Sequence, residues 1–424
     1  MGAENQKAGN EEGHMGTPPL KGIKVVDLTR ALAGPFCTLT LANLGAEIIK
    51  IEDPKGGDIS RNNAPYIGPD GLKLVRQNSE DFSLAALNRL RGKQSITLDL
   101  KHPKAAGIFS DLVANADVVV ENFSAGTADR LGVGYSTAKR ANESIIYCSL
   151  TGYGSGNSRG MKAMDAVIQA LSGLMMVSGG PDDPPIRIGV PIADIITPMW
   201  ATIGILAALN GRNQTGKGQF IDVSMLGALT SFVAMEDWDA LYELGQPLRS
   251  GPTLPRLAPF GLYRCADGWV SLVASQDRLV EKLFSAMGRA ELLQDPRFVT
   301  RDSRVVNETE LTQEIESWSS SLPVSTVVEQ LVAAGVPAAP VVEPREAVRN
   351  TLVVERSDTM PVTHPDLGNL DKYITAGLPV HFSDAPSGDI MPAPRLGEHT
   401  DKILSDLLGY TSAQIDALRK SGAI

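Results

Sequence analysis

The sequence predicts an α/β protein in which a largely parallel sheet carries helices on both faces. Short runs of aliphatic and β-branched residues alternate with helix-length segments through the first 150 residues. Strands that are separated by helices of this length usually run parallel in one sheet. With 43% hydrophobic and 21% charged residues in a chain of 424, the protein is expected to bury a large core. A change in texture from about Gly251 predicts a second, smaller domain of the α+β class.

The first elements form a strand–helix–strand unit. Residues 23–28 are predicted as a strand, residues 33–44 as a helix and residues 47–51 as a second strand. The same alternation then predicts strands at 95–99, 117–121 and 144–150 and helices at 102–114 and near Thr127.

Longer apolar helices are predicted after Gly154, at residues 165–176 and 195–209, on either side of a Gly/Pro-rich loop at 178–185. A strand at 220–223 and a hairpin formed by 261–264 and 268–273 follow. The predicted organisation is a leader at 1–19, a large domain at 20–225, a small domain with linkers at 226–340, and a return to the large domain at 341–424.

Charge and hydropathy exclude two classes of partner. Lysine and arginine number 39 against 49 acidic residues, a net charge of −10, and no basic run occurs, so a nucleic-acid partner is not expected. The most apolar stretch, residues 192–209, carries Asp194 and Pro198 near its start, and its central run is too short to span a bilayer. We therefore expect no membrane segment.

The cysteines indicate a reducing compartment. Cys37, Cys148 and Cys265 lie far apart without a CxxC pair, which favours neither a disulfide framework nor a cysteine metal site. A cytoplasmic location is expected, with the mitochondrial matrix as the alternative in a eukaryote.

Several familiar motifs are present only superficially. Residues 211–218 match the GxxxxGK phosphate loop, but Gly218 stands where Ser or Thr must bind Mg²⁺, and a predicted helix precedes the motif where a strand should. A turn is the better interpretation. The five histidines lack metal-binding spacing and no GxSxG elbow occurs, so neither a histidine metal site nor a serine hydrolase is indicated.

Asp165 is the candidate reactive residue. It is an ionisable carboxylate directly before an apolar, small-residue helix, where it is either a helix cap or a reactive group. A carboxylate can attack a thioester carbonyl to form a mixed anhydride, which the expelled thiolate opens to an aspartyl thioester. Both interpretations stay open on the residues alone.

Three further segments, residues 29–35, 121–123 and 396–400, join the stretch around Asp165 in a family resemblance. Together they resemble the class III CoA-transferases of the formyl-CoA transferase or CaiB/BaiF type, from residue 20 onward and in the same order. The resemblance implies that Asp165 is the nucleophile, that a CoA thioester is a substrate, and that no metal or permanently bound cofactor is used. It also implies a Rossmann-like large domain, a smaller α+β domain and an interlocked, ring-like homodimer.

The same resemblance assigns the CoA-binding residues. They are Arg30, Ala31, Leu32, Ala33, Lys93, Asn122, Phe123, Arg130 and Tyr153. Lys93 and Arg130 are the candidates for the CoA phosphates.

The substrates suggested by the resemblance are succinyl-CoA and a dicarboxylic acid. The second carboxylate of such an acid needs a basic partner, for which Arg61, Arg159 and Arg187 are candidates. Gly179 and Gly180 are predicted to form a lid over the intermediate.

Two alternatives remain. α-Methylacyl-CoA racemases carry a histidine directly before the corresponding aspartate, where this chain has Met164, although Asp194 could supply a second carboxylate for proton exchange. A CoA-binding protein without catalytic activity would keep Arg130 and the glycine loops but would not need Asp165.

Overall fold

A computed structural model describes residues 16–156, 161–388 and 390–424. The predicted leader up to residue 15, and the candidate Arg159, lie outside the described residues. Two compact units divide the chain. The first comprises the chain up to Ile168, Pro191–Leu229 and Val348–Ile424, and the second comprises Gln169–Val190 and Thr230–Ala347.

The elements alternate through the first unit much as the sequence predicts. The strands are β1 (Lys24–Asp27), β2 (Glu47–Glu52), β3 (Tyr66–Gly68), β4 (Gly71–Lys73), β5 (Phe82–Ser83), β6 (Lys93–Thr97), β7 (Val118–Glu121), β8 (Ile146–Thr151), β9 (Phe220–Ser224), β10 (Phe260–Arg264), β11 (Trp269–Val273), β12 (Ala338–Pro340), β13 (Thr359–His364) and β14 (Gly368–Ala376). The helices are α1 (Ala33–Asn43), α2 (Leu84–Arg89), α3 (Ala105–Ala114), α4 (Thr127–Arg130), α5 (Tyr135–Ala141), α6 (Asp165–Leu171), α7 (Leu174–Val177), α8 (Ile192–Thr215), α9 (Met225–Val233), α10 (Trp238–Glu243), α11 (Asp277–Ala286), α12 (Arg301–Val306), α13 (Glu308–Ser319), α14 (Val324–Ala333), α15 (Pro344–Ala347), α16 (Thr351–Val354), α17 (Thr400–Lys402) and α18 (Ser412–Lys420).

A six-stranded parallel sheet forms the centre of the first unit, in the order β6-β2-β1-β7-β8-β9. Successive residues of β1 serve opposite faces, since Val26 packs in one core cluster with Ile49 and Val25 packs in the other with Ile48. Both faces are buried, which explains the unbroken aliphatic runs in the sequence. The parallel α/β fold is therefore confirmed.

Because the strands are parallel, their carboxyl ends meet at one edge of the sheet, where ligands of this fold class bind. β1 ends there at Asp27, β7 at Glu121 and β8 at Thr151. The segments that follow these strands carry most of the predicted site residues.

Helix α8 covers one face of the sheet together with α1. Its inward residues Ala201 and Ile205 are fully buried, and Thr202 lies 3.6 Å from the thiol of Cys37 in α1. At 24 residues α8 is longer than predicted, so the argument that this stretch is too short to span a bilayer was wrong. Among the described residues it is the one helix whose length and composition would allow a crossing, a property that core helices of water-soluble proteins share. Its burial on the sheet accounts for its apolar face.

At two places a helix is bounded by a glycine with a left-handed backbone conformation. The helix predicted at 165–176 is interrupted between α6 and α7, because Gly173 has φ 88° and cannot continue a right-handed helix. The 211–218 motif is not a phosphate loop: residues 211–215 are the end of α8, and Gly216, with φ 68°, is its C-cap and donates its N–H to the carbonyl of Arg212.

The second unit contains the predicted hairpin. β10 and β11 pair antiparallel, with Tyr263 opposite Val270, and β12 extends the sheet beside β11. Helices α11, α13 and α14 contribute Phe284, Ile315 and Leu331 to a core over this sheet.

Candidate active site

A cavity of about 420 Å³ lies in the first unit at the carboxyl edge of the central sheet. Most of the predicted catalytic and CoA-binding residues line it: Arg30, Ala31, Ala33, Asn122, Phe123, Arg130, Tyr153 and Asp165. Tyr153 lies at the rim and donates its hydroxyl to the carbonyl of Lys162 at 3.2 Å. Leu32 and Lys93 are not among the lining residues. One cavity thus unites three segments that are remote in sequence.

Asp165 is not the cap of its own helix. The carbonyl of Met164 accepts the first helical hydrogen bond, from Ile168 at 3.0 Å, which makes Met164 the N-cap and Asp165 the first helical residue. Instead, Oδ1 of Asp165 accepts the N–H of Ala193, in the first turn of α8, at 2.8 Å. The positive end of a second helix therefore faces the carboxylate and stabilises its charge.

A second carboxylate lines the same cavity. Asp194 lies one residue beyond the donor Ala193. Burial and, after it, the charge of Asp165 together raise its pKa to about 6, although Arg89 opposes the shift. A carboxyl with this pKa can hold a proton in slightly acidic solution, which distinguishes it from an ordinary surface aspartate.

The loop between β1 and α1 forms a wall of the cavity, and side chains bind its backbone. Oδ1 of Asn122 accepts the N–H of Arg30 at 2.8 Å, and its Nδ2 donates to the carbonyl of Arg30 at 2.9 Å. Ala31 has φ 69°, in the left-handed region; its N–H reaches Asp58 at 3.2 Å and its carbonyl accepts from Arg89 at 3.1 Å. Asn122, predicted as a CoA ligand, thus also holds the loop.

Two arginines provide positive charge at the cavity. The guanidinium of Arg30 lies 5.4 Å from the ring centre of Phe123, and Arg130 donates to the hydroxyl of Thr127 at 2.7 Å. Both side chains are exposed. A smaller cavity of about 190 Å³ shares Arg30 and Phe123 with the first and continues to Lys101. Glu52, Asp53 and Asp99 also line the smaller cavity, so its charge is mixed, and Arg30 is the positive residue that the two cavities share.

Lys93 occupies a different place from the predicted one. Its side chain is fully buried, and its ammonium group donates to Oδ2 of Asp27 at 3.0 Å, to the carbonyl of Pro35 at 2.9 Å and to the hydroxyl of Thr38 at 2.6 Å. These three acceptors match the three N–H donors of an ammonium group. A contact with a CoA phosphate does not fit this position, so the prediction was wrong. Lys93 instead binds Pro35 and Thr38 of α1.

Arg61 is likewise fully occupied by contacts within the protein. Its Nε and Nη2 bind the two carboxylate oxygens of Glu52 at 2.8 and 2.7 Å, and Nη1 donates to the carbonyl of Pro394 at 2.9 Å. The pair is buried, with side-chain exposures of 9% and 1%. Arg61 is therefore a structural residue rather than the predicted partner of a substrate carboxylate.

The predicted lid and Arg187 belong to the second unit. Gly179 has φ 95°, and the N–H of Gly180 donates to Asp183 at 2.7 Å, so the loop is a closed turn. Arg187 is exposed and donates to the carbonyl of Ile188 at 3.1 Å. Their functional roles stay predictions.

Asp58 and Arg89 are contacts of the loop that the sequence did not single out. Asp58 follows β2 at the carboxyl edge of the sheet, a position that could have marked it as a candidate. Arg89 ends α2, and no pattern in the sequence places it against Ala31, 58 residues earlier.

Comparisons with known proteins identify the family. The sequence model of CoA-transferase family III matches residues 20–400. The chain is 34% identical to the succinyl-CoA:mesaconate CoA-transferase of Haloarcula hispanica, covering 91% of this chain and 96% of the relative. It is 33% identical to the formyl-CoA:oxalate CoA-transferase of Streptomyces avermitilis, covering 96% and 100%. Among solved structures, a CaiB/BaiF family protein from Brucella suis superposes with a TM-score of 0.79 at 33% identity, covering 92% of this chain and 100% of that one.

Proposed function

Because the chain belongs to CoA-transferase family III, we propose that it transfers CoA from succinyl-CoA to a dicarboxylic acid through a thioester on Asp165. The observation that carries the proposal is the position of Asp165 in the cavity that the β1–α1 loop, Asn122 and Arg130 also line. The choice of donor and acceptor is supported by the relative that acts on succinyl-CoA and mesaconate.

The proposed reaction consists of two acyl exchanges. The Asp165 carboxylate attacks the thioester carbonyl of succinyl-CoA, the C–S bond breaks, and CoA leaves as a thiolate, which yields a mixed anhydride. The thiolate then attacks the Asp165 carbonyl, succinate leaves as a carboxylate, and Asp165 carries CoA as a thioester. The acceptor carboxylate repeats both steps in the reverse order and restores the Asp165 carboxylate. No net proton is taken up or released.

Each attack places negative charge on a carbonyl oxygen, which requires positive groups near Asp165. The first turn of α1 is our candidate for them. Its N-cap Leu32 has no side-chain cap bond, and Ala33 lines the cavity. Because Pro35 has no N–H, the donors of this turn are the N–H groups of Ala33 and Gly34, which have no cap side chain of their own.

Arg130 and Arg30 are the proposed contacts of the CoA phosphates. Both are exposed and line the main cavity, and Arg30 also lines the smaller one, whose wall includes Leu98 and Leu100. The apolar wall suits the adenine ring, and Lys101 at the same cavity adds a further positive charge. Arg187 remains the proposed partner of the second carboxylate of the substrate.

Mass spectrometry of the intact protein tests the mechanism. After mixing with succinyl-CoA, we expect a covalent CoA adduct that maps to Asp165, disappears with hydroxylamine, and becomes an alcohol after borohydride reduction. Asp165→Asn should form no adduct and lose at least ~10³-fold in transfer rate with unchanged thermal unfolding. An adduct with another acyl-CoA alone would overturn the donor, and a variant with near wild-type rate would overturn the nucleophile.

One observation favours a second function, α-proton exchange on an acyl-CoA. Asp194, with a pKa of about 6, lies in the same cavity as Asp165, so two carboxylates of unequal basicity are available. The residue before Asp165 is Met164, whose thioether cannot serve as a base at neutral pH. Deuterium uptake at C2 of succinyl-CoA in D₂O, faster than CoA transfer, would favour this alternative.

A homodimer is also proposed, and the outer face of α8 supports it. Met199, Ile203 and Leu206 follow one helical stripe and are 51%, 56% and 36% exposed. Large apolar side chains in such a stripe commonly mark a protein interface. Light scattering should give twice the chain mass, and Ile203→Glu should lower it; a monomeric wild type would contradict the proposal. The interlocked arrangement stays a prediction of the family resemblance.

A further inference from the structure

Ala31 has a backbone conformation that its side chain disfavours. Its φ of 69° lies in the left-handed region, which among the described residues only Ser357 shares outside glycine. A Cβ atom crowds the following carbonyl in this region, so the surrounding structure must hold the residue there. Such outliers concentrate at functional sites.

Two charged side chains hold Ala31, one on each side of its backbone. Asp58 accepts the N–H of Ala31 at 3.2 Å through Oδ1, and Arg89 donates Nη1 to the carbonyl at 3.1 Å. We call this pair the Ala31 clamp. Hydrogen bonds with one ionised partner are stronger than neutral ones. Both peptide groups flanking Ala31 are thus constrained.

Asp58, the acidic residue of the clamp, forms an ion pair with the buried Lys50. Lys50, 1% exposed, lies 3.2 Å from Oδ2 of Asp58 and donates to the carbonyl of Thr29 at 2.7 Å. Burial alone would raise the pKa of Asp58, but the charge of Lys50 and the hydrogen bonds from Ser60 outweigh burial and hold this pKa below its ordinary value. Asp58 is therefore an anionic acceptor at neutral pH.

Arg89, the basic residue of the clamp, lies near the reaction cavity. Arg89 lies close enough to Asp58 and Asp194 for both charges to stabilise its guanidinium. Asp194 and Ala31 both line the cavity that contains Asp165. Arg89 itself is not among the lining residues, so it acts on the loop rather than on a substrate.

We infer that Arg89 and Asp58 are positioning residues, which fix Ala31 in the left-handed conformation and so direct the first turn of α1 at the reaction cavity. The inference rests on the proposed function, because the donors of this turn are needed where charge develops. Displacing such a donor reduces the stabilisation of the transition state more than it reduces the binding of the substrate. Loss of the clamp should therefore lower kcat more than it raises KM for succinyl-CoA.

Arg89→Met tests the inference, with Arg91→Met as a matched control. Arg91 is a buried arginine two residues after the half-buried Arg89, and it binds the carbonyls of Asn88 and Ala376 and the hydroxyl of Thr375. We expect Arg89→Met to lower kcat by about 10- to 100-fold with KM changed by less than about threefold. Arg91→Met should lower the unfolding temperature without this effect on kcat.

Adding Ala31→Gly separates a positioning role from a purely structural one. Glycine adopts positive φ without the penalty of a Cβ atom. Ala31→Gly in the Arg89→Met background should therefore recover part of the lost kcat, and Arg89→Lys should retain more activity than Arg89→Met. Equal losses in the Arg89 and Arg91 variants, or no recovery by glycine, would overturn the inference.

Hydrogen exchange measures the clamp without any substrate. In Arg89→Met the amides of residues 30–34 should exchange at least tenfold faster than in the wild type, whereas Arg91→Met should leave them unchanged. If exchange is faster in Arg89→Met but the wild type transfers no CoA, the proposed function is rejected while the clamp is supported as the restraint on this loop. Unchanged exchange in Arg89→Met would reject the clamp whatever the activity.

Discussion

Glu121 offers a direct test of how burial acts on a charge at the sheet edge. It ends β7, is 5% exposed, and its Oε2 accepts the N–H of Phe123 at 2.7 Å. Burial raises its pKa from 4.5 to about 7, since the hydrogen bonds from Ser149 and Phe123 only partly offset the loss of water. Replacing Glu121 by Gln keeps the shape and an acceptor oxygen but removes the titration.

The direction of the pH effect follows from proton linkage. Below about pH 4.5 the carboxyl is protonated in both the folded and the unfolded chain. Between 4.5 and about 7 the unfolded chain releases its proton while the folded chain keeps it, so the stability contributed by this group falls and then stays constant above pH 7. That interval, at about 1.4 kcal/mol per pH unit, corresponds to about 3 kcal/mol.

Urea unfolding at pH 4.5, 5, 6, 7 and 8 measures the effect. The free energy of unfolding of Glu121→Gln minus that of the wild type should rise by about 3 kcal/mol between pH 4.5 and 8, which makes the variant relatively more stable in alkaline solution. Because the difference is taken between two otherwise identical chains, other titrating groups cancel. Glu47→Gln, at a half-exposed site, controls for the loss of one charge. A difference that does not change with pH would refute the reasoning.

Three further predictions concern the site. Lys93→Met should destabilise the fold by about 3 kcal/mol, because the cation that still faces the buried Asp27 is then the more distant Lys50 at 3.8 Å, and Asp27→Asn should recover part of the loss in urea unfolding; a loss below about 1 kcal/mol would show that Lys50 and the hydrogen bonds from Thr29 and Thr38 suffice. Arg130→Gln should raise KM for succinyl-CoA about tenfold and weaken its salt dependence in steady-state assays, and an unchanged KM would exclude a phosphate contact. Alanine at both Gly179 and Gly180 should slow transfer or increase hydrolysis of the intermediate, measured as free CoA released per transfer, and unchanged kinetics would contradict the predicted lid.

The parallel sheet was predictable because its signal is local. Residues 23–28, 47–51 and 117–121 are aliphatic runs bounded by polar residues, and strands buried on both faces need such runs. The break at Gly173 also had a local signal, the Ser172-Gly173 pair, which was outweighed by apolar residues on both sides.

Side-chain roles at the site were less predictable because they depend on remote partners. The resemblance assigns Lys93 to the CoA phosphates, but its ammonium group is buried and donates to Asp27, 66 residues earlier. Arg61 is neutralised by Glu52 in a buried pair that the sequence alone does not reveal. Asp165 and Asn122 were found through separated motifs, whereas Arg89 was not predicted as a site residue and its contact with Ala31 is seen only in the structure.

The interleaving of the two units in the chain has a consequence for biosynthesis. The core beside β1 is completed by α18, whose Ile415 and Leu418 pack in the same cluster as Val26, and by Ala423, whose carbonyl accepts the N–H of Asp99 at 2.8 Å. At about 5–20 residues per second, the first strand waits roughly 20–80 s on the ribosome before these partners exist. During this time the exposed N-terminal strands of one nascent chain can pair with those of a neighbouring nascent chain. We therefore expect synthesis of this protein to depend on chaperones more than its final stability would suggest.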